Sequence, residues 1–202
     1  MIPKGKTGYL IVSSFVLIAA FSVASVFLFR YFESNKSQIN EKIYLLARNN
    51  YLSKNIALNL EKLPDEQEQA KIKIKESAQL YRLSYEAFIK GGIVPGREKE
   101  PVISPANDDY RQAIRELRAS LENFRNPANI ILETPYHTYH SKVTDTLIAG
   151  TTKESLRFRP KPNEQVTAAV EKMHKLLQDT ELLTQNLIKA LESDLQKQIR
   201  NQ

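Results

Sequence analysis

The chain has 202 residues, a formal charge of +6 and no cysteine. That length suits one domain of moderate size, and the missing thiols exclude disulfide frameworks, zinc fingers and cysteine nucleophiles. The positive charge is interspersed with acids and forms no basic run or aromatic-basic pattern, so nucleic acid is excluded as a partner.

Residues 9–29, YLIVSSFVLIAAFSVASVFLF, carry no charge. Roughly 21 residues at 1.5 Å each cross a hydrocarbon core of about 30 Å. Lys4 and Lys6 precede the segment, and Arg30, Tyr31 and Phe32 follow it as interfacial residues. A cleaved signal peptide is the rival, with Ser22-Val23-Ala24 as its small-residue cleavage site. The apolar run continues past that site through Phe27-Leu28-Phe29, which favours an uncleaved anchor. Residues 1–8 then form a short cytoplasmic tail, and residues 34–200 an extracytoplasmic domain.

The first helix of that domain is expected over about 34–63. Its inner stripe reads Ile39, Ile43, Leu46, Asn50, Ser53, Ala57, Leu60. This is a coiled-coil-like spacing with two polar residues in its middle. A polar seam residue fixes register, specifies a dimer or holds a ligand. A second apolar set, Leu45, Leu52, Ile56 and Leu63, lies beside the stripe, so the helix packs on more than one neighbour.

Leu63-Pro64-Asp65-Glu66 breaks and restarts the helix, since proline and acids suit a first helical turn. Helix two runs to Lys90 with Ile74, Ala78, Tyr81, Tyr85 and Phe88 on one stripe. KIKIK at 71–75 alternates like a strand, but its flanks carry the helical period. Gly91-Gly92 ends the helix, and FIKGGIVPG at 88–96 reverses the chain. A polar loop over 97–102 leads to Ser104-Pro105, where helix three is expected to start, with Tyr110, Ile114, Leu117, Leu121 and Phe124 as its stripe. Pro127 is expected to kink or end it, with Ala128 to Leu132 continuing beyond.

Residues 126–162 read as an irregular insertion broken by Pro135, Gly150, Pro160 and Pro162. His137 and His140 stand three apart, which on a helix puts two metal ligands on one face. No third ligand accompanies them, so an exposed Tyr/His-rich loop is expected and no metal site. Arg157 and Arg159 read as a small solvated basic pair. Helix four begins near Asn163 and runs to about Arg200, with Val166, Val170, Met173, Leu177, Thr180, Thr184, Leu187, Leu191 and Leu195 on its stripe. At roughly 55 Å it is long enough to return to the membrane surface.

Two of these segments carry a family resemblance. LLARNNYLSKNIA at 45–57 resembles the first-helix motif of the N-terminal sensor domain of type IV pili methyl-accepting chemotaxis transducers, a domain shared with nitrate/nitrite sensor kinases. Leu45, Arg48, Leu52, Ser53, Ile56 and Ala57 match, and Asn49 and Lys54 replace glutamines. The Phe88, Gly91, Gly92, Val94 and Pro95 pattern is similar to the family's turn after helix two. Asn50 and Asn55 stand where the family has arginines. In the nitrate sensors the arginine at the Asn50 position contacts the anion across a dimer interface. A neutral amide lacks the charge that strengthens such hydrogen bonds, so nitrate binding does not carry over.

The resemblance, set beside the residue pattern, implies an all-α protein: an N-terminal transmembrane helix followed by an up-down four-helix bundle. It implies a single-pass protein of the bacterial inner membrane whose bulk is periplasmic. The expected function is a sensor-like binding module of signal transduction, homodimeric through helix one, with a small ligand of unspecified identity near Arg48, Asn50 and Ser53. The sequence holds no second apolar span, kinase core or methyl-accepting module, so output through a separate receptor or envelope protein is expected. The alternative is an envelope scaffold whose helical faces bind proteins and no small ligand. No catalytic constellation stands out and no cofactor is expected; acids such as Glu116, Glu122, Glu171 and Glu181 fall at solvated helix spacing.

Overall fold

The computed structural model describes residues 4–96, 101–140, 143–146, 152–155 and 159–200. Residues 1–3 of the expected tail, most of the 97–102 loop and Arg157 lie outside them. The described chain is predominantly helical. Its long elements are α1 (Lys4–Glu61), α2 (Gln67–Lys90), α3 (Arg111–Glu133) and α4 (Glu164–Arg200).

α1 is one helix of 58 residues, about 87 Å long at 1.5 Å per residue. No proline or glycine falls between the apolar segment and Leu60, so nothing interrupts the backbone ladder. From Ser14 to Phe29 every side chain is exposed, and this part is long and apolar enough to cross a membrane. Ser22 and Ser25 return their hydroxyls to the Ile18 and Phe21 carbonyls, at 2.9 and 2.8 Å. Their polar groups are thereby satisfied within the helix, as an apolar surrounding requires.

Beyond Lys42 one side of the same helix is buried. α1 packs on α2 and α4, and α3 packs on α4 and more lightly on α2. The contacts run in register. Lys54 meets Glu181 at 3.7 Å, Tyr85 meets Thr184, Ser120 meets Thr180, and Tyr110 meets Asp194. The core between the helices is built from Leu45, Leu46, Ile56, Leu60, Ile74, Phe88, Leu117, Ile131 and Met173, each essentially inaccessible to water. KIKIK lies inside α2, as its helical flanks imply.

Gly91 ends α2 at φ +75°. A side chain there is strained by that backbone, and its Cβ would stand 2.8 Å from Pro105 and 2.9 Å from the Ile103 carbonyl. The glycine thus lets the chain return closely against the helix end. Strands β1 (Gly92–Ile93) and β2 (Val102–Ile103) pair antiparallel there. Residues 104–107 belong to no helix or strand and a 3-10 turn covers Asp108–Tyr110, so α3 starts later than Ser104-Pro105 suggests. Gln38 of α1 binds this segment as a peptide would, donating to the Val102 carbonyl at 3.0 Å and accepting from the Ser104 amide at 2.7 Å.

α3 continues through Pro127 to Glu133, with Pro127 itself buried. The Lys71 ammonium covers the end of α3, donating to the Leu132 and Thr134 carbonyls at 3.1 and 2.9 Å. A cation at a helix C-terminus suits the dipole and satisfies orphan carbonyls. Within the stretch expected to be irregular, β3 (His137–His140) pairs with β6 (Arg159–Pro162), and β4 (Val143–Thr146) with β5 (Thr152–Ser155), both antiparallel. His137 and His140 therefore fall on a strand, and the helical spacing that would give them one face does not apply. Asn163 caps α4, its side-chain oxygen accepting from the Gln165 amide at 3.0 Å.

Candidate functional site

The buried seam of α1 reads Lys42, Leu45, Asn49, Leu52, Ile56, Asn59, at spacings of three and four, and Leu63 in the turn after the helix continues it. Each is at most 8% exposed. This seam lies about one residue, some 100° of helix, from the stripe read in the sequence. Leu46, Ser53 and Leu60 of that stripe are also buried, but Ile39, Ile43, Asn50 and Ala57 are only half-buried at its edge. The physical reason is that α1 serves two neighbours, so its core-facing arc spans both apolar sets and centres between them.

Each residue of the expected site has a definite place. The Arg48 guanidinium donates to the Pro95 carbonyl, reaching across from α1 to the turn after α2. It also occupies the space that a side chain at Gly96 would need, 2.6 Å from an ideal Cβ. Arg48 thus ties the turn to α1. Ser53 is 4% exposed and faces the core. Asn50 is half-buried, and its side-chain oxygen is inaccessible to water with no hydrogen-bond partner. Asn55, at the second family arginine position, donates to the Ser77 hydroxyl of α2 at 3.3 Å.

The residue that sequence reasoning missed is Asn49. It is fully buried, and neither amide atom has a partner of hydrogen-bonding geometry. It lies near enough to the Tyr85 phenol to favour that group's ionised form. The signal was the run Leu45, Asn49, Leu52, Ile56, Asn59, Leu63, which keeps the heptad spacing as well as the stripe that was read.

Around Asn49 the core is polar on all four helices. Tyr85 of α2 shares a hydrogen bond with Thr184 of α4 at 2.5 Å. One turn along, the Thr180 hydroxyl meets Ser120 of α3 at 2.5 Å, and it lies near enough to the Tyr81 phenol to favour that group's ionised form. Thr184 and Thr180 bond back to the carbonyls four residues earlier, each at 2.6 Å. The Tyr81 ring stands edge-on to Tyr85 with centroids 4.8 Å apart, and stacks on Phe124 at 5.5 Å. Burial pushes the Tyr81 phenol up to about 12, and burial with the adjacent Tyr81 holds Tyr85 well above its ordinary range. Both phenols are neutral at physiological pH. They act as hydrogen-bond donors and acceptors.

No protein-family model matches the chain, and neither a curated protein nor a solved structure matches it.

Proposed function

We propose that the chain is a membrane-anchored, extracytoplasmic sensor module: an up-down four-helix bundle, paired through α1, that reads a small solute near Asn50 and Ser53. The observation that carries this reading is the continuity of α1. One uninterrupted helix joins the apolar segment to a polar break in the helical core at Asn49, Asn50 and Ser53. A change of packing at that break moves the same rod that enters the membrane, which is the arrangement a transmembrane sensor needs.

The alternating helix contacts support the up-down bundle, since α1 beside α4 and α3 beside α4 run in opposite directions. Pairing through α1 is supported by Tyr44, Tyr51 and Leu58, which recur every seven residues on its outer side at 36%, 67% and 51% exposure. Seven-residue spacing suits a parallel helix pair, and copies held in one membrane meet at the same height.

The full chain in detergent micelles, melted against small anions, amino acids and polyols, tests the reading. A ligand at a hundred times its Kd raises stability by about 2.7 kcal/mol. At least one shift is expected to vanish in Asn50→Leu, and a panel in which Asn50→Leu leaves every shift intact contradicts this site.

A second reading, an envelope scaffold, is favoured by a groove of about 530 Å³ between α2 and α3. Ala78, Leu121, Phe124 and Ala128 line it, with Lys75, Arg82 and Arg125 beside them. On that reading Asn50→Leu is silent or stabilising, and Ala78→Glu abolishes capture of a protein partner.

A further inference from the structure

A second polar region lies at the end of the helical core nearest the apolar segment, about two turns of α1 before Asn50 and completed by α4 and the segment before α3. Here α1, the end of α4 and residues 104–110 enclose a cleft of about 550 Å³. Its chemistry centres on Lys42. This side chain is 8% exposed, and its ammonium donates to the Ser104 hydroxyl at 3.2 Å and the Pro105 carbonyl at 2.9 Å. Both acceptors are neutral, and among the described residues no carboxylate forms an ion pair with it. Burial alone pulls its pKa below the ordinary lysine value. A buried cation with no counter-charge is costly, and such groups are otherwise paired.

The rest of the lining is not simply anion-seeking. Asp109 and Asp194 face the same cleft, along with Lys197, so cations and anions balance there. Asp194 is engaged, accepting from Tyr110 and from Lys197 at 3.2 Å. Asp109 is exposed and, among the described residues, accepts only from Asn107, at 2.6 Å. The Gln198 amide oxygen, inaccessible to water, has no hydrogen-bond partner. Ile39, Pro105 and Leu191 supply an apolar wall.

We infer that this cleft is a binding site for a zwitterionic amino acid, with Lys42 receiving its carboxylate, Asp109 its ammonium and Ile39 and Leu191 its side chain. A simple anion meets two aspartates there and a simple cation meets two lysines, whereas a zwitterion answers both signs. The occupant touches α1, α4 and the 104–110 segment together. It therefore ties the end of α4 to α1 just beyond the apolar segment. Lys42 lies about two helical turns from Asn50 along α1, and the remaining lining comes from α4 and residues 104–110, so the two readings fail on different variants.

The test is calorimetric titration of the full chain in detergent micelles with each of the twenty standard amino acids. At least one is expected to bind saturably. Lys42→Met is expected to weaken it about 10- to 100-fold, the range for losing one charged hydrogen bond. Asp109→Asn, on an exposed residue that leaves folding undisturbed, is expected to weaken it by about 10-fold. Asn50→Leu leaves it unchanged. Lys42→Met is expected to melt no lower than the parent, because water replaces its donors at the exposed Ser104 and Pro105. Absence of binding by all twenty, or binding that neither Lys42→Met nor Asp109→Asn weakens, overturns the proposal. Loss of binding in Asn50→Leu alone also overturns it and returns the ligand to the α1 seam.

Discussion

The middle of the helical core and its end near the apolar segment are both polar, and they are built in opposite ways. In the middle, hydroxyl groups meet in pairs across helices, Tyr85 with Thr184 and Ser120 with Thr180, beside the Tyr81 phenol. At the end, Lys42, Tyr110, Asp194 and Lys197 include full charges and open on a cleft. A hydroxyl both donates and accepts, so hydroxyls can close a network among themselves in a dry core. An ammonium only donates and a carboxylate only accepts, so charges need external acceptors, donors or water. The closed region, beside which the Asn49 amide and the Ser84 hydroxyl have no partner among the described residues, fixes how the helices sit. The open region has bonding capacity left for a solute.

The sharpest way to break this contrast is truncation. Tyr85→Ala removes a fully buried ring and its hydrogen bond to Thr184, and is expected to cost about 3–5 kcal/mol. Tyr110→Ala, at the half-buried edge of the cleft, is expected to cost about 1 kcal/mol. Guanidinium unfolding midpoints of the two variants measure the difference, and equal losses would show that the cleft is as much part of the core as the hydroxyl layer.

Alkaline titration probes the closed region alone. Tyr81 holds its proton to about pH 12 in the folded chain and loses it near 10 when unfolded. Its contribution is thus fully present below pH 10 and is lost as pH rises through 12. The slope is about 1.4 kcal/mol per pH unit for each such phenol, Tyr85 adding a second. Unfolding midpoints measured from pH 9 to 12 should fall accordingly, and Tyr81→Phe should flatten the curve by one proton.

Gly91→Ala tests what holds the open region in place. Its left-handed backbone and its contact with Pro105 make a loss of about 1–3 kcal/mol the expectation. Because Ser104 and Pro105 carry the acceptors of Lys42, amide hydrogen exchange over 101–110 should quicken in this variant while that over 180–187 does not. The smallest effect is expected at the paired asparagines. Asn49→Leu replaces an amide without partners in the core and should stabilise by about 1 kcal/mol. Asn50→Leu, at the edge, should change stability by less than about 0.5 kcal/mol. A reversed order of the two midpoints would restore the stripe through Asn50 as the true seam.

That last pair shows where sequence reading stops. Periodicity located the helices well: α2 ends at Lys90 before Gly91, and α4 starts beside Asn163, because glycine and asparagine act on the backbone locally. The face of α1 that enters the core was not legible in the same way. Two apolar sets 100° apart compete, and the choice between them depends on where α2 and α4 stand. Arg48 likewise matched a ligand-helix motif, yet its partner, the Pro95 carbonyl, is 47 residues away.

The sequence by itself determined the uncharged segment over 9–29, the absence of thiol chemistry, and the helical character of most of the remaining chain. These follow from composition and from local propensity, which need no neighbours. Tertiary structure alone decided that Asn49 is a buried amide without a partner, that Tyr85 meets Thr184 across 99 residues, and that Lys42 has only neutral acceptors among the described residues. Each depends on which distant groups share a low-dielectric space, and hydrogen bonding and desolvation act through distance in space, not along the chain.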